Sequence, residues 1–155
     1  MEYPVGVGTP PGRLLILVDG YREGDLIGRV YPWWETQEAA FSQLCQLLLT
    51  LDGWMDRMDY PQKAVERRSF CDDTAAAPRK GRPRPVARRT VPGGNQATFI
   101  VQVKYRQNAT WQGQVTWAER DRTQTFRSAL ELLKLLDGAL RASRGEGRKD
   151  AGEGR

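Results

Sequence analysis

Sliding the chain against itself by 85 positions aligns residues 14–55 with residues 99–140 without a gap, and nine of the 42 pairs are identical. Val18 meets Val103, Gly28 meets Gly113, Val30 meets Val115 and Phe41 meets Phe126. Leu47-Leu48 meets Leu132-Leu133, and Leu51-Asp52-Gly53 meets Leu136-Asp137-Gly138. Other pairs exchange like for like, such as Leu15 with Ile100 and Ile16 with Val101. An internal repeat of this kind marks one supersecondary unit used twice. A unit this short is near the size at which a domain rarely stands alone, so the copies share a core or find partners.

Hydrophobic periodicity gives each unit its elements. Residues Leu14–Gly20 and Leu26–Trp33 carry strand patterns, and the connection Tyr21-Arg22-Glu23-Gly24-Asp25 suits a hairpin. Phe41, Leu44, Leu48, Leu51, Met55 and Met58 then recur at helical spacing, with Thr36 as a candidate N-cap. In the second copy, Phe99–Arg106 and Thr110–Glu119 alternate as strands and Arg122–Phe126 adds a short third. Ser128 and Glu131 form a capping box before a helix face of Leu132, Leu133, Leu136 and Leu140. The expected fold is therefore α+β: two tandem ββ(β)α repeats, each an antiparallel sheet with one packed helix, joined by a disordered basic linker. The expected boundaries are a flexible lead-in over 1–12, repeat 1 over 13–60, the Pro/Ala/Arg-rich linker over 61–97, repeat 2 over 98–141 and a disordered tail over 142–155.

Charge separates the segments. Residues 1–59 carry 4 basic and 9 acidic groups, whereas residues 60–98 carry 9 and 3, so an anionic partner is expected to meet the linker and the second half. The absence of histidine removes the usual general base and the commonest metal ligand. The paired Asp52-Gly53 and Asp137-Gly138 have no base or nucleophile beside them, and the chain reads as non-catalytic, with no cofactor and no metal. Cys45 and Cys71 have neither zinc-site nor disulfide-framework spacing; Cys45 reads as a small core residue and Cys71 as a free thiol. Neither a signal peptide nor an apolar span is visible, so no membrane is expected and a cytoplasmic location is the expectation.

Alternation sets Phe99, Val101, Val103 and Tyr105 on a buried face, and Gln102, Lys104, Arg106, Gln112, Gln114 and Thr116 on a polar one. In the first copy the corresponding second face is apolar: Leu15, Leu17, Ile27, Tyr31 and Trp33. That face needs a cover, either the second copy or another chain, and it is the candidate partner-binding surface of a protein–protein adapter or a homodimer.

The run Pro78-Arg79-Lys80-Gly81-Arg82-Pro83-Arg84-Pro85 resembles the AT-hook, with Lys80 where a central arginine is usual. The resemblance implies minor-groove DNA contact by Arg79, Lys80, Arg82 and Arg84, with Arg88 and Arg89 adding charge. Residues 99–140 resemble AP2-type and integrase arm-type DNA-binding domains, which implies a sheet face of Lys104, Arg106, Gln112, Gln114 and Thr116 set against DNA. The segments Gly28-Arg29-Val30-Tyr31-Pro32, Ser42-Gln43-Leu44-Cys45-Gln46-Leu47-Leu48, Tyr105-Arg106-Gln107-Asn108-Ala109-Thr110-Trp111-Gln112-Gly113 and Phe126-Arg127-Ser128-Ala129-Leu130-Glu131-Leu132 resemble small uncharacterised proteins of gut-type clostridial bacteria, a resemblance that implies no particular activity. The leading expectation is weak nucleic-acid binding by the linker and the second sheet face.

Overall fold

A computed structural model describes residues 2–6, 8–22, 25–34, 37–62, 70, 88–106 and 110–150, with the side chains of 144–150 outside that description. Among the described residues the chain forms eight strands and two α-helices: β1 (Glu2–Val5), β2 (Arg13–Arg22), β3 (Asp25–Tyr31), β4 (Ala39–Phe41), α1 (Leu44–Met58), β5 (Arg89–Pro92), β6 (Ala97–Tyr105), β7 (Gln112–Trp117), β8 (Arg122–Phe126) and α2 (Ala129–Asp150). A single 3-10 turn over Ala118–Arg120 links β7 to β8. The class is α+β with antiparallel sheets.

Six strands form one sheet in the order β4-β3-β2-β6-β7-β8. At its centre β2 runs antiparallel to β6, with Leu15 opposite Ile100, Leu14 opposite Val101 and Ile16 opposite Phe99. Leu15 and Ile100 lie 85 residues apart, so the two halves meet about this pair, and on either side of it matching positions cross over, Leu14 facing Val101 and Ile16 facing Phe99. The flanking pairs obey the same offset. Val18 pairs with Gly28 and Val103 with Gly113; Gly28 pairs with Phe41 and Gly113 with Phe126. The register also shifts at matching places, between Val18 and Gly20 and between Val103 and Tyr105.

The helices cover one face. Leu47, Leu51 and Met55 of α1 and Leu132, Leu136 and Leu140 of α2 join Leu14, Ile16, Val18, Phe99, Val101 and Val103 in a single buried cluster. Burial of these side chains is the principal driving term for both helices, because neither has an apolar stripe that water would leave uncovered at little cost. Asp25, at the β2–β3 hairpin, accepts the Leu44 backbone N–H at 3.1 Å and caps α1 from outside its own sequence neighbourhood. Ser128 caps α2 directly, its Oγ accepting the Glu131 N–H at 3.0 Å.

Several expectations need correction. Helix α1 begins at Leu44, and Phe41 belongs to β4, where it pairs with Gly28; the position resembles helix by spacing, but the missing Gly28 side chain makes room for the Phe41 ring in the sheet. The segment 1–12 is not merely a lead-in, nor 61–97 merely a linker, since Glu2–Val5 and Arg89–Pro92 pair as a two-stranded ribbon, Tyr3 opposite Val91. Alternate residues Tyr3, Val5 and Val91 lie on Leu15, Leu17 and Tyr31 and bury them. Within this chain, the ribbon thus supplies cover for the first half's apolar outer face. Helix α2 continues past residue 141 to Asp150. Cys45 is exposed, on the side of α1 that corresponds to exposed Leu130 of α2, away from the sheet. No helix among the described residues is long and apolar enough to cross a membrane. Linker residues 63–69 and 71–87, which include Cys71, and tail residues 151–155 lie outside the described residues.

Candidate nucleic-acid interface

The ribbon covers only part of the sheet's outer face. Thr98 is buried and Ile100 and Ala118 pack against the ribbon cluster, but from Gln102 onward and over β7–β8 that face is open, and the registers carry a polar row across it: Arg13 opposite Gln102, Gln102 opposite Gln114, Gln114 opposite Thr125. Thr116 and Thr123 form a second pair, their hydroxyls 2.9 Å apart. Gln102 is steadied by donating its Nε2 hydrogen to the Pro11 carbonyl at 2.8 Å. Lys104, at the β6 bulge, and Arg13 are exposed, and no carboxylate lies within ion-pairing distance of either among the described residues.

The first half shows how the same positions behave when charge is neutralised internally. Asp19 matches Lys104 and Arg29 matches Gln114 at the 85-residue offset. Asp19 and Arg29 form a two-pronged pair, with Nε–Oδ2 at 2.9 Å and Nη2–Oδ1 at 3.2 Å. The bond to Asp19 holds the Arg29 guanidinium above its ordinary pKa, against the opposing effect of burial. Tyr31 donates to Glu38 at 2.7 Å under the ribbon, and burial followed by that bond raises its phenol pKa. The outer face of the first half is closed and self-paired, whereas that of the second half is open from Gln102 onward and carries Lys104, with Arg13 beside it, neither ion-paired among the described residues.

The bulge between Val103 and Tyr105 redirects two residues. An extra residue in one strand reverses inside and outside beyond it. Tyr105, expected on the buried face, pairs with outward-facing Gln112 and is 54% exposed. Arg106, expected on the polar face, turns to the helix side and is 3% exposed. Its Nε donates to the Pro61 carbonyl at 2.5 Å, its Nη2 to the Met55 carbonyl at 3.2 Å, and its Nη1 pairs with Asp56 at 2.6 Å and Asp52 at 3.9 Å. Arg106 is therefore a structural clasp on α1 and no part of an open nucleic-acid surface. Its match in the other half, Tyr21, reaches Asp137 of α2 at 3.2 Å, and Asp137 is the match of Asp52. Each half thus clasps the helix of the other through the Asp-Gly site.

Of the residues expected to meet nucleic acid, Lys104, Gln112 and Gln114 share the outer face, and Arg88 and Arg89 are exposed at the start of β5. Arg79, Lys80, Arg82 and Arg84 lie outside the described residues. Of those expected to dock a partner, Leu15, Leu17 and Tyr31 are buried under the ribbon, and Trp33 packs edge-on against Trp34, 4.6 Å between ring centroids, in the helix-side core. Ile27 is half-buried beside Gly20.

Sequence reasoning missed Arg13 and Tyr105. Arg13 lies one residue before the repeat and joins the polar row only through the β2–β6 register, which local sequence does not carry. Tyr105 had a signal in the repeat itself, because it matches Gly20, and glycine inside a strand often marks a bulge. Arg13 and Arg88 also border a hollow of about 110 Å³ between the ribbon loop and the sheet, floored by Leu15 and Ile100. Two guanidinium groups at one rim suit a phosphate. Among the described residues no group of three or more potential ligands could hold a metal ion. No protein-family model, curated protein or solved structure matches this chain.

Proposed function

We propose that this is a non-catalytic protein that binds nucleic acid weakly, laying the polyanion across the open outer face of β6–β8 and along the arginines that lead into β5. The observation that carries this reading is the row Arg13, Gln102, Gln114 and Thr125 beside Lys104, open to solvent, while the matching face of the first half is covered and self-paired. Glutamines and threonines supply hydrogen bonds to bases or phosphates, and Tyr105 supplies an exposed ring for stacking. Arg79, Lys80, Arg82 and Arg84 add AT-hook-like contacts from the linker. In this reading the chain descends from duplication of one βββα unit, whose first copy became the closed, structural half and whose second became the binding half. Its compartment is the cytoplasm.

Phosphate contacts dominate such affinity, each contributing roughly −0.9 to the slope of log K against log salt. With Arg13, Arg88, Arg89 and Lys104 engaged, affinity for duplex DNA should fall about a hundredfold between about 50 mM and about 200 mM salt, and further if the linker joins. Fluorescence anisotropy with A·T-rich and G·C-rich duplexes tests this. The double variant Arg13→Glu with Lys104→Glu should weaken binding at least tenfold at low salt, and Tyr105→Ala several-fold at either salt. Binding that ignores salt and both variants would refute the proposal.

A further inference from the structure

On the helix side, one difference between the two halves concerns a pair of tryptophans. In the first half Trp54 of α1 packs against the core with its ring centroid 5.9 Å from that of Trp34. At the 85-residue offset those two positions hold Ala139 and Glu119. Glu119 is engaged elsewhere, accepting the Thr98 N–H at 2.9 Å. Ala139, small where the first half has Trp54, lines a cleft of about 270 Å³ between α2 and strands β7–β8, whose walls also include Phe99, Val115, Leu135 and Trp117, the match of Pro32. An apolar cavity of about 150 Å³ suffices for benzene, so this cleft has room for a bicyclic ring and a small substituent. Gly138 adds space at the mouth, since a Cβ there would meet nothing within 4 Å.

The rim differs in charge as well. Lys134 and Arg122 border the cleft and are exposed, while their matches in the first half are uncharged Leu49 and Gln37. The acids nearest Lys134 along α2 already have partners: Asp137 is 3.0 Å from Arg141, and Glu131 is 3.8 Å from Arg127. In the second half, open volume and the exposed cations Lys134 and Arg122 occur together. Trp117, on the wall, keeps a buried Nε1–H without an acceptor, as Trp34 does in the first half.

We propose that the cleft between α2 and β7–β8 binds a planar aromatic carboxylic acid of about indole size, its ring in the space that Trp54 occupies in the first half and its carboxylate at Lys134 and Arg122. The site lies on the opposite face of the sheet from the polar row and does not depend on the nucleic-acid reading. Calorimetric titration of the full chain with indole-3-acetate tests it, with neutral indole and acetate as ring-only and charge-only controls. One-to-one saturable binding of indole-3-acetate is expected, at least tenfold tighter than indole, with acetate giving none. Ala139→Trp, which copies the first half, should abolish it. Lys134→Gln at an exposed position should weaken it roughly tenfold, as the loss of one charge-assisted contact implies. Absence of saturable binding, equal affinity for indole and its acid, or unchanged affinity in Lys134→Gln would each overturn the proposal. So would full binding by a folded Ala139→Trp protein.

Discussion

Arg106→Ala is expected to destabilise the protein by about 3 kcal/mol, the range found when one member of a buried ion pair is removed and its partners are left behind. In a chain of this length that lowers Tm by roughly 6–12 °C. The guanidinium is 3% exposed and donates to the Met55 carbonyl in α1 and the Pro61 carbonyl beyond it, as well as pairing with Asp56 and Asp52. Alanine removes the contacts to all four acceptors at once, two of them charged. The conservative change Arg106→Lys should recover only part of the loss, because a single ammonium cannot reach acceptors arranged around a planar fork. Thermal and urea denaturation followed by circular dichroism measure both. Nucleic-acid affinity of the folded Arg106→Ala fraction should stay within twofold of the parent. A stable variant with lost affinity would return Arg106 to the binding surface and contradict the bulge-reversed placement.

Gly113→Ala should cost about 3 kcal/mol or more, and Gly28→Ala a similar amount, which puts both among the severe single substitutions. A Cβ at Gly113 would overlap the Gln102 carbonyl and crowd the Val103 Cα at 3.0 Å; one at Gly28 would overlap the Leu17 carbonyl and meet Phe41 Cζ at 3.1 Å. The obstruction is mainly backbone, which cannot step aside as a flexible side chain can. Gly53→Ala offers the control. It lies in a helix, its Cβ would meet nothing within 4 Å, and removing a helical glycine should stabilise by about 0.5–1 kcal/mol. Equal effects at Gly113 and Gly53 would contradict the close strand approach at Gly113.

What was legible in the sequence was whatever repeats or alternates. The helix faces of Leu47, Leu51 and Met55 and of Leu132, Leu136 and Leu140 follow from spacing, and the inward set Phe99, Val101 and Val103 from alternation. Alternation stops being informative at a bulge, and Tyr105 and Arg106 therefore exchanged faces. The ribbon escaped because β1 and β5 are four residues each, too short for periodicity to register, and because their pairing partners are more than 80 residues apart. Their existence was nonetheless implied: the apolar run Leu15, Leu17 and Tyr31 demanded a cover, and the sequence could not say which segment supplied it. The paired Asp-Gly sites were visible as a motif, but their role emerged only from the central β2–β6 register, which carries Tyr21 and Arg106 to opposite helices.

Chemical-shift mapping on ¹⁵N-labelled protein, titrated with a short A·T-rich duplex at low salt, examines the binding face residue by residue. Amides of Gln102, Lys104, Tyr105, Gln112, Gln114 and Thr116 should move together, in proportion to occupancy, while those of Leu17, Tyr31 and Val91 under the ribbon stay in place. Movement confined to the helices, or to the ribbon-covered half, would contradict the assignment of the open β6–β8 face as the nucleic-acid surface.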